Sequence, residues 1–315
     1  MKEIIIGGVL LLTAILILIA CSCRLKKREY TVISRKISRE ITVAHISDLH
    51  ESRFGKRQEK LLQMLREIEP DIIFITGDMV EDERDSYEIE KMFSDENPAR
   101  MLLSALPEIA TCYMVFGNHD SNLPNVDELC DAIEKLGVRV LHRHDTVSPD
   151  EYEEITVNSH RILICGADDP HFDRSEPCHK KTIIERVSDD KNRNGRVITE
   201  WRERLTREYS AVGERDSLTV LLSHRPEEYE LYKKLGFDAV FSGHAHGGQW
   251  RLPPFINGVY APHQGLFPRH AGGCYRYGGF VHIVSRGLSK KRMIRIFNRP
   301  EIPVVRFVKE KGELR

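Results

Sequence analysis

The chain has no CxxC pair, no internal repeat, no low-complexity tract and almost no net charge. Its 7 cysteines, at 21, 23, 112, 130, 165, 178 and 274, are odd in number and scattered. That spacing excludes a disulfide framework, and most of these thiols read as free and buried. It also withholds the clustered thiolates that a closed structural zinc site needs. With 47 basic and 48 acidic side chains, no global basic field argues for nucleic acid, and none is expected as a partner. What remains is an ordinary balance, 41% hydrophobic and 30% charged over 315 residues, enough for one large α/β domain or two modest ones. We expect a monomer.

Long apolar runs are also lacking, with one exception. Residues 4–23, "IIIGGVLLLTAILILIACSC", carry no charge. A helix of that length spans roughly 30 Å, the thickness of bilayer hydrocarbon, and a buried core helix is the weaker reading. "RLKKR" (24–28) follows at once. Positive-inside counting then leaves the body in the cytoplasm, on an uncleaved anchor in the cell membrane. A second reading stays open: "LIAC" (18–21) resembles a lipoprotein cleavage box, with Cys21 lipidated and the body exported. Either way the body is expected beside a lipid bilayer, with the basic run available to anionic head groups. We divide the chain into an anchor or signal segment (1–23), a basic juxtamembrane linker (24–40) with an edge strand near "YTVIS", and a domain over 41–315 with a polar insert at about 170–216.

Within the domain, apolar strand-like runs alternate with amphipathic stretches. "ITVAHIS" (41–47), "DIIFIT" (71–76), "TCYMVF" (111–116), "RILICGA" (161–167), "SLTVLLS" (217–223), "FDAVFS" (237–242), "FVHIVS" (280–285) and "MIRIF" (293–297) read as strands. Helices are predicted over 61–68, 98–106, 126–133, 201–209 and 226–235. The alternation predicts an α/β layered domain with a largely parallel core sheet. Two runs rich in Gly, Pro and aromatics, 247–270 and 272–279, read as ordered loops. Trp250, Phe255, Tyr260 and Phe267 there serve either as loop packing or as an apolar groove for a lipid tail.

Five of these strands end in metal-ligand chemistry. The first ends in Asp48 and His50, the second in Asp78, the third in Asn118, His119 and Asp120, the fourth in His224, the fifth in His244 and His246. In α/β sheets the binding crevice lies beyond the carboxyl ends of the strands, so these side chains are expected on one rim. Each alone has a bland reading as a turn former, cap or strand-end imidazole. Together they supply carboxylate, imidazole and amide oxygen, a mixture suited to two divalent ions such as Mn, Fe or Zn. Arg53 and Arg225, one short loop away, are candidate phosphate contacts, or solvated charges paired with acidic neighbours.

The series D-x-H, G-D, G-N-H-D, lone H and G-H-x-H resembles the calcineurin-like metallophosphoesterase superfamily. The flanks "DLHESRFGKRQEKLL", "GHAHGGQWRLPP" and "APHQGLFPRH" resemble its membrane-associated bacterial YkuE/YaeI-like subfamily. The resemblance implies a four-layer α/β/β/α sandwich of two mixed β-sheets, here preceded by the membrane helix. It implies one metal on Asp48, His50 and His246, another on Asn118, His224 and His244, and Asp78 bridging. His119 would be the catalytic histidine, oriented by Asp120. The implied activity is cleavage of phosphodiester or phosphoanhydride bonds in a phosphorylated small molecule or lipid, by hydroxide shared between the metals. One alternative is a UDP-diacylglucosamine-type lipid pyrophosphatase. Another, of a different class, is a catalytically inactive binding scaffold, which would be expected to have lost ligands; none is missing.

Overall fold

The computed structural model describes residues 2–81, 88–123, 125–141, 153–170, 183–290 and 294–310. Among the described residues fourteen strands form: β1 (Lys26–Ser34), β2 (Ile41–Ile46), β3 (Ile72–Thr76), β4 (Thr111–Val115), β5 (Arg139–Val140), β6 (Glu153–Val157), β7 (His160–Ala167), β8 (Leu218–Ser223), β9 (Ala239–Ser242), β10 (Tyr260–Ala261), β11 (Gly265–Leu266), β12 (Gly273–Tyr277), β13 (Phe280–Val284) and β14 (Glu301–Lys309). The first sheet runs β1-β14-β2-β3-β4-β5 and the second β12-β13-β9-β8-β7-β6, with β10 and β11 a separate small hairpin. Both large sheets are mixed. β2 to β5 are parallel while β14 is antiparallel to β2, and β7, β8, β9 and β13 are parallel while β6 and β12 run against them.

Strand alternation builds the layers. One face of the first sheet (Val43, Ile72, Phe74, Tyr113, Val115) meets one face of the second (Ile164, Val220, Leu222, Phe241, Ile283) in a shared core. The opposite face of the first sheet (Ala44, Ile46, Ile73, Ile75, Met114) packs on helices α2 (Glu59–Ile68), α4 (Pro98–Ala105) and α6 (Val126–Glu134), between which the chain forms the short helices α3 (Ile89–Met92) and α5 (Asn118–Ser121). The opposite face of the second (Leu163, Cys165, Leu221, Val240) packs on α7 (Ile183–Glu208) and α8 (Tyr229–Leu235). The order is therefore helix, sheet, sheet, helix, as the resemblance implies. Helix α2 shows why the local pattern sufficed: Leu61, Leu62, Leu65 and Ile68 are its buried stripe, and it stops at Glu69, just before Pro70.

Three expectations change. The last strand is "EIPVVRFVK" (β14), not "MIRIF": Met293 lies outside the described residues, and Ile296 makes only an isolated bridge to Trp250. Pro303 masked β14, since a proline argues against an interior strand. The register resolves this, because pairing with β2 begins only at Val304. Second, β1 draws residues 26–34 of the expected linker into the first sheet, beside β14. Third, the apolar run does form a helix, α1 (Lys2–Ala20), with exposed apolar side chains from Ile5 to Ile19. Among the described residues, however, no helix is long and apolar enough to cross a membrane. Of the polar insert, residues 171–182 lie outside the described residues, and the rest is mainly α7. The six described cysteines are free, three of them buried.

Candidate metal centre

The two packed sheets present their parallel strand ends to each other. Asp48, after β2, accepts the backbone N–H of His244, after β9, at 3.0 Å. The ring of His224, after β8, donates through Nδ1 to the Thr76 carbonyl at the end of β3, 2.6 Å away. These two bonds stitch the rims of opposite sheets together, and all nine strand-end residues lie at this seam or in the loops beside it.

Gly77, Gly117 and Gly243, which precede Asp78, Asn118 and His244, mark close approaches of loops. A Cβ on Gly77 would lie 2.1 Å from Gly117 N, and one on Gly243 would lie 1.9 Å from Ser47 Oγ and 2.5 Å from Asp48 Oδ2. The ligands themselves carry backbone strain. Asp48, His50, Asp78, His244 and His246 all have left-handed φ, between 45° and 64°. Such a conformation costs about 1–2 kcal/mol per non-glycine residue, so tertiary contacts must hold it.

Of four triads among the described residues whose ligand atoms lie within 4.8 Å of one another, two consist of expected ligands: Asp48, His50 and His246, and Asp78, His224 and His244. Asp78 Oδ2 lies between them, 3.5 Å from His50 Nε2 and 3.1 Å from His224 Nε2. His50 Nε2, Asp78 Oδ2 and Asn118 Oδ1 are buried atoms with no properly directed hydrogen bond. Leaving such atoms unsatisfied costs about 1–3 kcal/mol each in a protein interior. Convergent, orphaned donors of mixed oxygen and imidazole type are what divalent cations would satisfy, so the residues present fit that group.

The electrostatics agree. Burial raises Asp48. Burial also pushes Asp78 upward, but His224, His119 and His50 outweigh it and hold that carboxyl well below the usual range. Burial opposes protonation of His224, yet Asp78 and Asp48 lift it to about 10. Burial, with Arg225 and His224 beside it, drives His244 well below an ordinary imidazole. Charge in this cluster is mutually compensated only in part.

The remaining expectations divide. His119 sits edge-on to His50, ring centroids 4.9 Å apart, and its backbone N–H donates to Asp78 Oδ1 at 2.9 Å. Asp120 does not orient that ring. Its carboxylate accepts four backbone N–H groups, from Asp78 (2.6 Å), Met79 (3.0 Å), Val80 (3.1 Å) and Gly117 (3.1 Å), and so builds the loops that carry the ligands. Burial and Asp78 raise it to about 6. Arg53 is exposed, and its guanidinium donates to the Glu96 carbonyl at 2.7 Å rather than to the cluster. Arg225 is at the centre's edge, buried, and clamped through Nε and Nη2 by Asp169.

Sequence reasoning missed three residues. Glu81 Oε1 lies 3.2 Å from His50 Nδ1 and shares a cluster with His119. Asp169 lies two residues beyond β7 and clamps Arg225. His263, on left-handed backbone (φ 59°), stacks over His244 with ring centroids 5.0 Å apart, and its Nδ1 is 2.7 Å from Arg225 Nη1. The signals were faint: an acid three positions after Asp78, a second acid in "GADD", a histidine inside "APHQG".

The calcineurin-like phosphoesterase family model matches residues 41–248. The chain is similar to phosphodiesterase YaeI of Escherichia coli (22% identical over 270 residues, 84% of this chain and 82% of that one), which is consistent with the expected subfamily. It is also similar to UDP-2,3-diacylglucosamine pyrophosphatase LpxG of Chlamydia muridarum (26% over 293 residues, 86% and 84%). A metallophosphoesterase-named protein of Caenorhabditis elegans is 27% identical over 70% of this chain, which spans only 39% of that longer protein. A dimetal phosphatase of Danio rerio superposes with a TM-score of 0.45 at 13% identity, covering 79% of this chain and 88% of that one, too loose a likeness to carry weight. Motifs, geometry and the family match converge: the chain belongs to the calcineurin-like phosphoesterase family, a family of metal-dependent phosphoesterases.

Proposed function

We propose that the protein is a membrane-tethered phosphohydrolase that holds two divalent cations and cleaves phosphodiester or phosphoanhydride bonds. The observation that carries this reading is the set of buried, undirected ligand atoms on His50, Asp78 and Asn118 at the meeting of two sheets. Asp48, His50 and His246 would hold one ion, Asn118, His224 and His244 the other, with Asp78 touching both sets. When bound, such ions lower the pKa of water and draw charge from phosphate oxygens.

The chain's own residues do the rest. The Thr76 carbonyl accepts a hydrogen bond from His224 Nδ1, which orients the ring so that Nε2 faces the site and would be available to an ion. Glu81 Oε1 stands behind His50, 3.2 Å from its Nδ1. His119, beside these rings rather than among the two ligand sets, donates a proton to the leaving oxygen. Arg225, fixed by Asp169, holds His263, whose half-exposed ring faces substrate phosphate.

A second reading, a lipid pyrophosphatase acting on UDP-diacylglucosamine-type substrates, is favoured by the similarity to LpxG along most of both chains. The inactive-scaffold reading has the complete ligand set against it. The test is hydrolysis of bis-p-nitrophenyl phosphate by full-length protein with Mn, Fe, Zn or Co, beside a panel of nucleotide and lipid pyrophosphates. Turnover that depends on added metal is expected. No turnover with any of the four metals would overturn the proposal.

A further inference from the structure

Large exposed apolar side chains are not spread over this protein. Among the described residues, those outside α1 number nine, and all except Ile33 fall within Trp250–Phe267 or Ile294–Phe297. Phe255 is 84% exposed, Ile294 72%, Leu266 70% and Phe267 66%. The two segments are distant in sequence but joined in space. Trp250 pairs with Ile296, and its Nε1 donates to the Ile294 carbonyl at 3.0 Å. Val259 N–H donates to Trp250 O and Phe267 N–H to Val259 O, so the hairpin of β10 and β11 rests on the same unit.

This unit is also tied to the end of α1. Phe297 N–H donates to the Ala20 carbonyl at 2.6 Å, and Arg299 donates to the carbonyls of Arg24 (2.8 Å) and Leu25 (3.2 Å). α1 exposes apolar side chains from Ile5 to Ile19, a surface suited to lipid contact. Arg24 and Lys26, exposed at the junction, suit anionic head groups. An exposed patch with Trp and Tyr, continuous with such a helix, has the composition of an interfacial surface.

We infer that the Trp250–Phe267 loop and the Ile294–Phe297 segment form a membrane-contact face that seats the metal centre at the lipid–water interface. The loop begins four residues after His246, so the face and the site share one stretch of chain. The inference rests on the proposed bilayer tether but needs only contact with lipid, not a crossing. It selects substrates whose phosphate is presented at the membrane surface.

The chain's 2 tryptophans supply the test, since Trp250 lies on the face and Trp201 is buried under the second sheet. Full-length protein is mixed with vesicles of phosphatidylcholine and phosphatidylglycerol carrying brominated acyl chains, and floated. Trp250 emission should be quenched about twofold by the bromolipid and be shielded from aqueous acrylamide. Trp250→Phe should remove the quenched component. Phe255→Ser with Phe267→Ser should restore most of the Trp250 emission, with the protein still floating and its hydrolysis of bis-p-nitrophenyl phosphate unchanged. If the protein floats while Trp250 stays open to acrylamide, the face does not meet lipid and the inference fails although the tether stands. Shielding from both quenchers would mean a protein contact and would also overturn it. Failure to float removes tether and face together. Loss of turnover in every sample would instead count against the phosphohydrolase reading.

Discussion

Asp78 and His119 sit one hydrogen bond apart and should fail differently. Asp78 touches both triads, so Asp78→Ala should empty the centre of metal and lose activity. His119→Ala should retain metal and lose about 10²–10⁴ in turnover, the usual worth of a positioned general acid. Metal content by mass spectrometry beside turnover separates the two. If His119→Ala lost as much metal as Asp78→Ala, the assigned roles would be wrong. His263→Ala should keep both metals and raise KM by roughly tenfold, the value of one hydrogen bond to a charged group. Among these residues, the ligands stood out in the sequence because each ends a recognisable strand. Glu81 and His263 did not, because a second carboxylate or ring behind a ligand is chosen by distance across loops, which no local pattern encodes. Asp120 shows how sequence adjacency differs from contact in space. Its neighbour in sequence is the His119 ring, but its neighbours in space are four backbone N–H groups.

Individual elements hold the site through their ends rather than through their length. β2 ends where β9 ends, and Gly243 lets the two loops touch. Gly243→Ala would place a methyl group against Ser47 Oγ and Asp48 Oδ2. Displacing a reacting geometry by about 1 Å costs on the order of 10² in rate, and that loss is expected here, with reduced metal content, while the far-ultraviolet dichroism is unchanged. β2 also carries His45 in the core, bonded through Nε2 to Thr76 Oγ1 at 2.7 Å. Burial lowers its pKa to about 3 from 6.5. A folded-state pKa below the unfolded one means that the unfolded chain binds the proton first as pH falls. The stability is therefore complete above pH 6.5 and is lost towards pH 3. Down to pH 5 the loss from His45 is about 2 kcal/mol. His45→Gln keeps a hydrogen bond to Thr76 without titrating, so its denaturant midpoint should fall less between pH 7 and 5 than that of the parent protein.

For the whole molecule, the centre is a cross-link between sheets. Asp48, His50, Asp78 and Asn118 follow strands of the first sheet, and His224, His244 and His246 follow strands of the second. Bound ions should therefore stabilise the sandwich by about 3 kcal/mol per site when free metal is about 100 times Kd. Thermal melts with chelator and with restored metal should show this as a reversible rise in Tm of several degrees. An unchanged Tm, with metal loss verified, would mean that the ions do not bridge the layers.

Strand and helix periodicity, together with the ligand-type side chains at the strand ends, already marked the α/β class, the order of most elements and the candidate metal-ligand residues, because these depend on spacing within one segment. Tertiary structure alone decided the rest. It placed Pro303 beyond the reach of β2 and so allowed β14 inside the sheet, turned Asp120 towards backbone amides, and gathered Trp250 and Phe297 onto one face beside α1. These are relations between segments far apart in the chain. They follow from which surfaces pack and which backbone groups still need a partner once the two sheets have closed on each other.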